Sequence, residues 1–152
     1  MIEAPSLRPL AELTVKLGPP MALGDSPRGT RRIIPIVGGT VSGRIRGEIL
    51  NLGADWQTIL ADGTAELDTR YAIRTHDGAL IDIRNYGLRH GPPEAIAALA
   101  RGETVDPGTY YMRSWPRFET GDARYAWLNR LLALGSGARD ADQVRLAIFE
   151  IA

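Results

Sequence analysis

Along residues 67–74 apolar and polar positions alternate: Leu67, Tyr71 and Ile73 share one face of an extended strand, Asp68, Arg70 and Arg74 the other. Residues 81–86 repeat the pattern, with Ile81, Ile83 and Asn85 opposite Asp82, Arg84 and Tyr86. A period of two marks strands that press one face against a core. Similar β-prone runs cover residues 9–17, 31–37, 47–51, 55–60, 64–75, 78–86, 109–115, 128–134 and 143–151. Gly38-Gly39 kinks the second run into residues 40–42, and Pro35 suggests an edge or a bulge there. Asp62-Gly63 and Asp77-Gly78 are strong tight-turn signals between three successive strands, which read as an antiparallel meander.

One helix is expected, in residues 92–101, PPEAIAALAR. Proline opens it, Glu94 sits in its first turn, Arg101 ends it and Gly102 follows. Residues 18–29, GPPMALGDSPRG, are too rich in Pro and Gly for regular structure and should form a loop. Residues 116–129 should be a loop with one helical turn, and residues 135–142 a turn. About nine strands and one helix, without βαβ alternation, predict a single all-β domain over residues 1–152. The expected architecture is an antiparallel closed or nearly closed β-barrel with one short helix, because closure removes exposed strand edges. A β-sandwich is the alternative.

Composition narrows the function classes. Eighteen basic and eighteen acidic residues cancel. With neither a basic excess nor a basic amphipathic helix, no nucleic-acid partner and no membrane partner are expected. There is no cysteine, hence no disulfide and no thiolate metal ligand. No signal peptide or spanning segment is evident, and a cytoplasmic location is expected. His76 and His90, the only histidines, lie in turn-like contexts, so no metal site is predicted. Ser42, Ser114 and Ser136 lack a nucleophile elbow, and the glycine pairs lack a phosphate-cradle context. No cofactor is expected.

The segments GGTVSG, GADWQ, AELDTRYAIRTHDGALIDIRN, YYMRSWPRFETGD and YAWLN occur in that order from about Leu10 to the C-terminus. Together they resemble a family of small bacterial and fungal proteins, domain-of-unknown-function family 3237. The resemblance implies a closed antiparallel barrel similar to those of allene oxide cyclase and dirigent proteins, and homo-oligomers. It implies no settled activity.

Several residues are candidates for chemistry. Asp55, beside Trp56 at a strand start, could act as a general acid or base against an aromatic wall, or cap a turn while Trp56 fills the core. Tyr71 and Asn85 should point inward as polar handles, serving a ligand or a backbone bond. Asp68, Arg70, Asp82 and Arg84 should form outer cross-strand ion pairs or a subunit contact. Tyr111, Arg113 and Trp115 share one strand face; Arg113 could take an anionic group or stack on Tyr111 and pair with Glu119. Trp127 could line the site, although tryptophan more often serves the core.

Two readings follow. In the first, the chain is a cofactor-independent enzyme of isomerase, cyclase or lyase type, acting on a small apolar or aromatic molecule in the barrel interior. Asp55, Tyr71 and Arg113 would be catalytic, and Trp56, Asn85, Tyr111 and Trp127 would bind substrate in one cavity. In the second, the barrel binds such a molecule without catalysis.

Overall fold

The alternating segments do form strands, and the strands close on themselves. The computed structural model describes residues 1–152 as ten strands, one α-helix and two 3₁₀ segments. The strands are β1 (Leu7–Leu17), β2 (Met21–Ser26), β3 (Gly29–Gly43), β4 (Gly47–Ile49), β5 (Gly53–Ile59), β6 (Ala65–Thr75), β7 (Leu80–His90), β8 (Tyr111–Glu119), β9 (Leu132–Arg139) and β10 (Gln143–Ile151). Helix α1 spans Pro93–Ala100, and the 3₁₀ segments span Pro107–Thr109 and Ala123–Arg130.

Every pairing is antiparallel. The order β1-β10-β9-β8-β7-β6 continues through β4 and β5 to β3, which pairs back onto β1. β4 and β5 share the slot between β3 and β6: β5 pairs with the first half of β3 and β4 with the second. The result is a closed eight-strand barrel. β2 lies outside it, pairing only with the start of β3.

The closing seam between β1 and β3 is tightest at a glycine. Gly39 has φ +140°, and a Cβ there would collide with the carbonyl oxygen of Thr14 on β1. Only a residue without a side chain lets the two backbones approach here and takes up this φ without strain.

The interior holds two apolar clusters. The larger, around Ile45, Ile73, Ile81, Ile83 and Leu128, is sealed at one end of the barrel by Ala123–Arg130. The smaller joins Ala65, Leu67, Leu99, Tyr110 and Met112 where α1 crosses the opposite end. No helix is long and apolar enough to cross a membrane.

Several boundaries differ from expectation. The Pro/Gly-rich segment 18–29 contains β2, because pairing with β3 satisfies its backbone despite poor intrinsic propensity. Residues 31–42 lie in one continuous strand, whose register against β1 slips by one residue at Val37. β8 runs to Glu119 through Pro116, and residues 135–139, expected to turn, complete β9 against β10. Residues 128–130, expected as strand, end the 3₁₀ segment instead.

Candidate functional site

The inward faces carry the site. On β6 and β7 the odd-numbered residues point inward, as the alternation predicts, and Tyr71 and Asn85 are 2% and 6% exposed. β5 follows the same parity, so Asp55 and Gln57 turn inward and Trp56 outward. Asp55, Tyr71 and Asn85 thus line one cavity between the two clusters, together with Thr69, Met112 and Ser114. Its volume is about 50 Å³, room for about three waters before side chains move. The small inner face of Gly137 on β9 borders this space, and a Cβ there would press on Met112.

Asp55 is held at both oxygens. Gln57 Nε2 donates to Oδ2 at 2.7 Å, and the Asp68 backbone N–H donates to Oδ1 at 3.0 Å. Gln57 in turn accepts a hydrogen bond from Arg32 Nε at 2.7 Å. Burial pushes the Asp55 pKa above the usual carboxylate range, while the bonds from Gln57, Thr69 and Asp68 and the charge of Arg89 pull it back. A carboxyl balanced in this way can exchange a proton with a bound molecule.

Around it are polar atoms with nothing to bond. The Tyr71 hydroxyl, Asn85 Oδ1 and Ser114 Oγ are all buried and have no hydrogen-bond partner in the protein. Burial holds the Tyr71 hydroxyl well above the usual phenol range, so it is neutral and able to donate. Buried polar groups are rarely left unpaired. Three around one cavity point to an occupant that pairs with them.

The other expected residues are elsewhere. The single cavity predicted for Trp56, Tyr71, Asn85, Tyr111, Arg113 and Trp127 does not form. Trp56 is 47% exposed on the outer face of β5. On β8 the even-numbered residues Met112, Ser114, Pro116 and Phe118 turn inward, which puts Tyr111, Arg113 and Trp115 outside. Arg113 stacks over Tyr111 with its guanidinium 5.5 Å from the ring centre, and it makes no ion pair with Glu119. Trp127 packs against the large cluster at the sealed end, with Arg44 over its ring at 4.7 Å. The parity of β8 could be read from Met112 and Phe118; weighting the aromatic and cationic residues instead selected the wrong face.

Sequence reasoning also missed an inward arginine on each of three strands. Extending the parity of Ile81, Ile83 and Asn85 by two pairs reaches Arg89, which is 6% exposed. Arg32 follows the inward parity of Ile34 and Ile36 on β3, and Arg139 that of Gly135 and Gly137 on β9. All three line a second cavity of about 420 Å³ at the α1 end. Leu17 borders both cavities.

Residues 5–151 match the family described as "Protein of unknown function (DUF3237)". The chain belongs to this family. A crystal structure of a conserved protein of unknown function from Rhodopseudomonas palustris is similar over 100% of both chains, at 41% identity and TM-score 0.94. That of a beta-barrel like protein from Acinetobacter baumannii covers 100% of this chain and 99% of its own, at 43% identity and TM-score 0.88. An enzyme from Penicillium herquei shares the fold at 22% identity and TM-score 0.75, covering 100% of this chain and 98% of its own. The family thus fixes the barrel, and the side chains inside it carry the functional argument.

Proposed function

We propose that the chain is a cofactor-independent enzyme of isomerase, cyclase or lyase type, acting on a small, largely apolar or aromatic molecule held in the barrel interior. One observation carries the reading: a buried carboxyl with an upward-shifted pKa faces the same cavity as three unpartnered polar oxygens. Asp55 moves a proton to or from the ligand, and Tyr71 and Asn85 orient a ligand oxygen. The charge-stabilising part expected of Arg113 has no support from its outer position. A carrier barrel needs only apolar walls and one anchor, and the mainly apolar lining of the cavity favours that second reading.

The test is incubation with phenolic, enone and small carboxylic compounds, following product by NMR and binding by thermal shift. Tryptophan fluorescence is a poor reporter, since no indole lines the cavity. Turnover lost in Asp55→Asn supports the enzyme. Compounds that bind wild type and Asp55→Asn equally and emerge unchanged support the carrier.

Tyr71→Phe separates a site residue from a structural one. Because the hydroxyl bonds to no other group of the protein, its removal should change stability by no more than about 1 kcal/mol in a melting experiment while weakening ligand binding. A loss well beyond about 1 kcal/mol would show that the hydroxyl serves the fold.

The proposal includes a cytoplasmic homo-oligomer. Tyr86, Leu88, Tyr111, Trp115, Leu132 and Leu134 are all exposed on the outer faces of β7, β8 and β9. An apolar patch on three adjacent strands suits a self-complementary contact. Light scattering at micromolar concentration should give a multiple of 16.5 kDa; the mass of one chain would contradict it.

A further inference from the structure

The 420 Å³ cavity at the α1 end is unusual in its charge. Arg32, Arg89, Arg101 and Arg139 line it, and no acidic residue does. Arg101 is neutralised by Glu103 at 2.8 Å. The other three are not: none of them takes part in any ion pair of the protein. The one carboxylate whose charge they feel is Asp55, behind them in the inner cavity. Three guanidiniums against one carboxylate leave an excess of two positive charges in a half-enclosed, partly apolar space.

Their hydrogen bonding is equally incomplete. Arg32 is anchored through Nε to Gln57, and Arg139 through Nε to the Asp140 carbonyl. Arg89 is the most buried, and its Nη1 has no partner. Burial, then repulsion from Arg139 and Arg32, pushes Arg89 down to about 10, so it stays charged at neutral pH at a cost to the fold. A structural arginine is paired. These three converge from the inward faces of β3, β7 and β9 with no carboxylate in an ion pair to any of them, which is the arrangement that receives an anion.

We propose that this cavity binds the oxyanion group, carboxylate or phosphate, of a small molecule whose apolar part extends past Leu17 toward Asp55 and Tyr71. The apolar wall of Ile96 and Leu99 from α1 faces the same space and would cover the ligand's body at the entrance. The direction of the apolar part rests on the inner cavity being the reaction site; the oxyanion site itself does not. The anion would lower the repulsion among the three arginines and leave Asp55 free to act on the inner part of the ligand.

The experiment uses the whole chain at constant ionic strength. Melting temperature is measured in inorganic phosphate, in benzoate and in benzyl alcohol, each against matched chloride. Phosphate or benzoate should stabilise the protein clearly more than benzyl alcohol does, and the larger of the two anion responses identifies the oxyanion. Arg89→Met should weaken binding of that anion at least tenfold and raise the melting temperature of the ligand-free protein, because an unpaired buried charge is removed. Arg113→Met, on the outer face, should leave the anion response unchanged. If Arg89→Met does not fold, Arg139→Met gives the same reading at a less buried position. No stabilisation specific to an anion, or an Arg89→Met protein that is less stable yet still responds to it, would overturn the proposal. Either result would leave the Asp55 assignment to be judged on turnover alone, and loss of the Asp55 assignment would leave the anion site standing.

Discussion

Asp55→Asn should lower turnover of any compound the protein converts by roughly 10²–10⁴-fold, with binding changed only a few-fold. The substitution keeps the size of the side chain and removes the exchangeable proton. Its oxygen can still accept from the Asp68 N–H, so the strand pairing of β5 with β6 survives. The same variant carries a pH signature. Burial raises the folded-state pKa of Asp55 above its unfolded value near ~3.9. Between those two values the folded state binds more protons than the unfolded state, so stability falls as pH rises through the window and stays lower above it. Each unit of upward shift is worth about 1.4 kcal/mol. Asparagine does not titrate, and the other groups are common to both proteins. The melting temperature of Asp55→Asn minus that of wild type should therefore increase from pH 3.5 to pH 8. A difference that stays flat would mean that Asp55 is not held in a desolvated setting.

Gly39→Val should cost at least about 3 kcal/mol of stability and can leave the chain unfolded at 37 °C. Two penalties act together. Valine is β-branched and strained at φ +140°, and its Cβ would collide with the Thr14 carbonyl oxygen. Relief requires β1 to move away from β3, and that pairing is the one that closes the barrel. Gly63→Val is the informative comparison. That glycine also has positive φ, but a Cβ there meets nothing, so the strain acts without the collision. Urea melts of the two variants would show Gly39→Val as clearly the worse. Equal losses would mean that the β1–β3 seam tolerates separation.

The barrel was legible because a period of two is a local signal. Leu67, Tyr71, Ile73, Ile81, Ile83 and Asn85 gave the inward faces of β6 and β7, and Asp62-Gly63 and Asp77-Gly78 gave the turns between strands. β2 was not legible, since residues 21–26 are strand only through their bonds to β3. Half of the candidate site was found for the same reason. Tyr71 and Asn85 followed from parity, and Asp55 from its place at a strand start. Trp56, Tyr111 and Arg113 stand out by residue type alone, which says nothing about the face on which a residue lies. Arg89, Arg32 and Arg139 obey the same parity rule, but arginine is rarely placed inward by default. Their convergence depends on β3, β7 and β9 ending together at the α1 end of the barrel, and no local pattern reports that.

The central claim is that ligands occupy the interior beside Asp55. The most direct measurement is a crystal structure of the protein with a compound that it binds or converts. Density is expected in the cavity lined by Asp55, Tyr71, Asn85 and Ser114, with a ligand atom within hydrogen-bond distance of the Asp55 carboxyl. Density confined to the outer face, beside Trp56 or along Tyr111, Arg113 and Trp115, would contradict it.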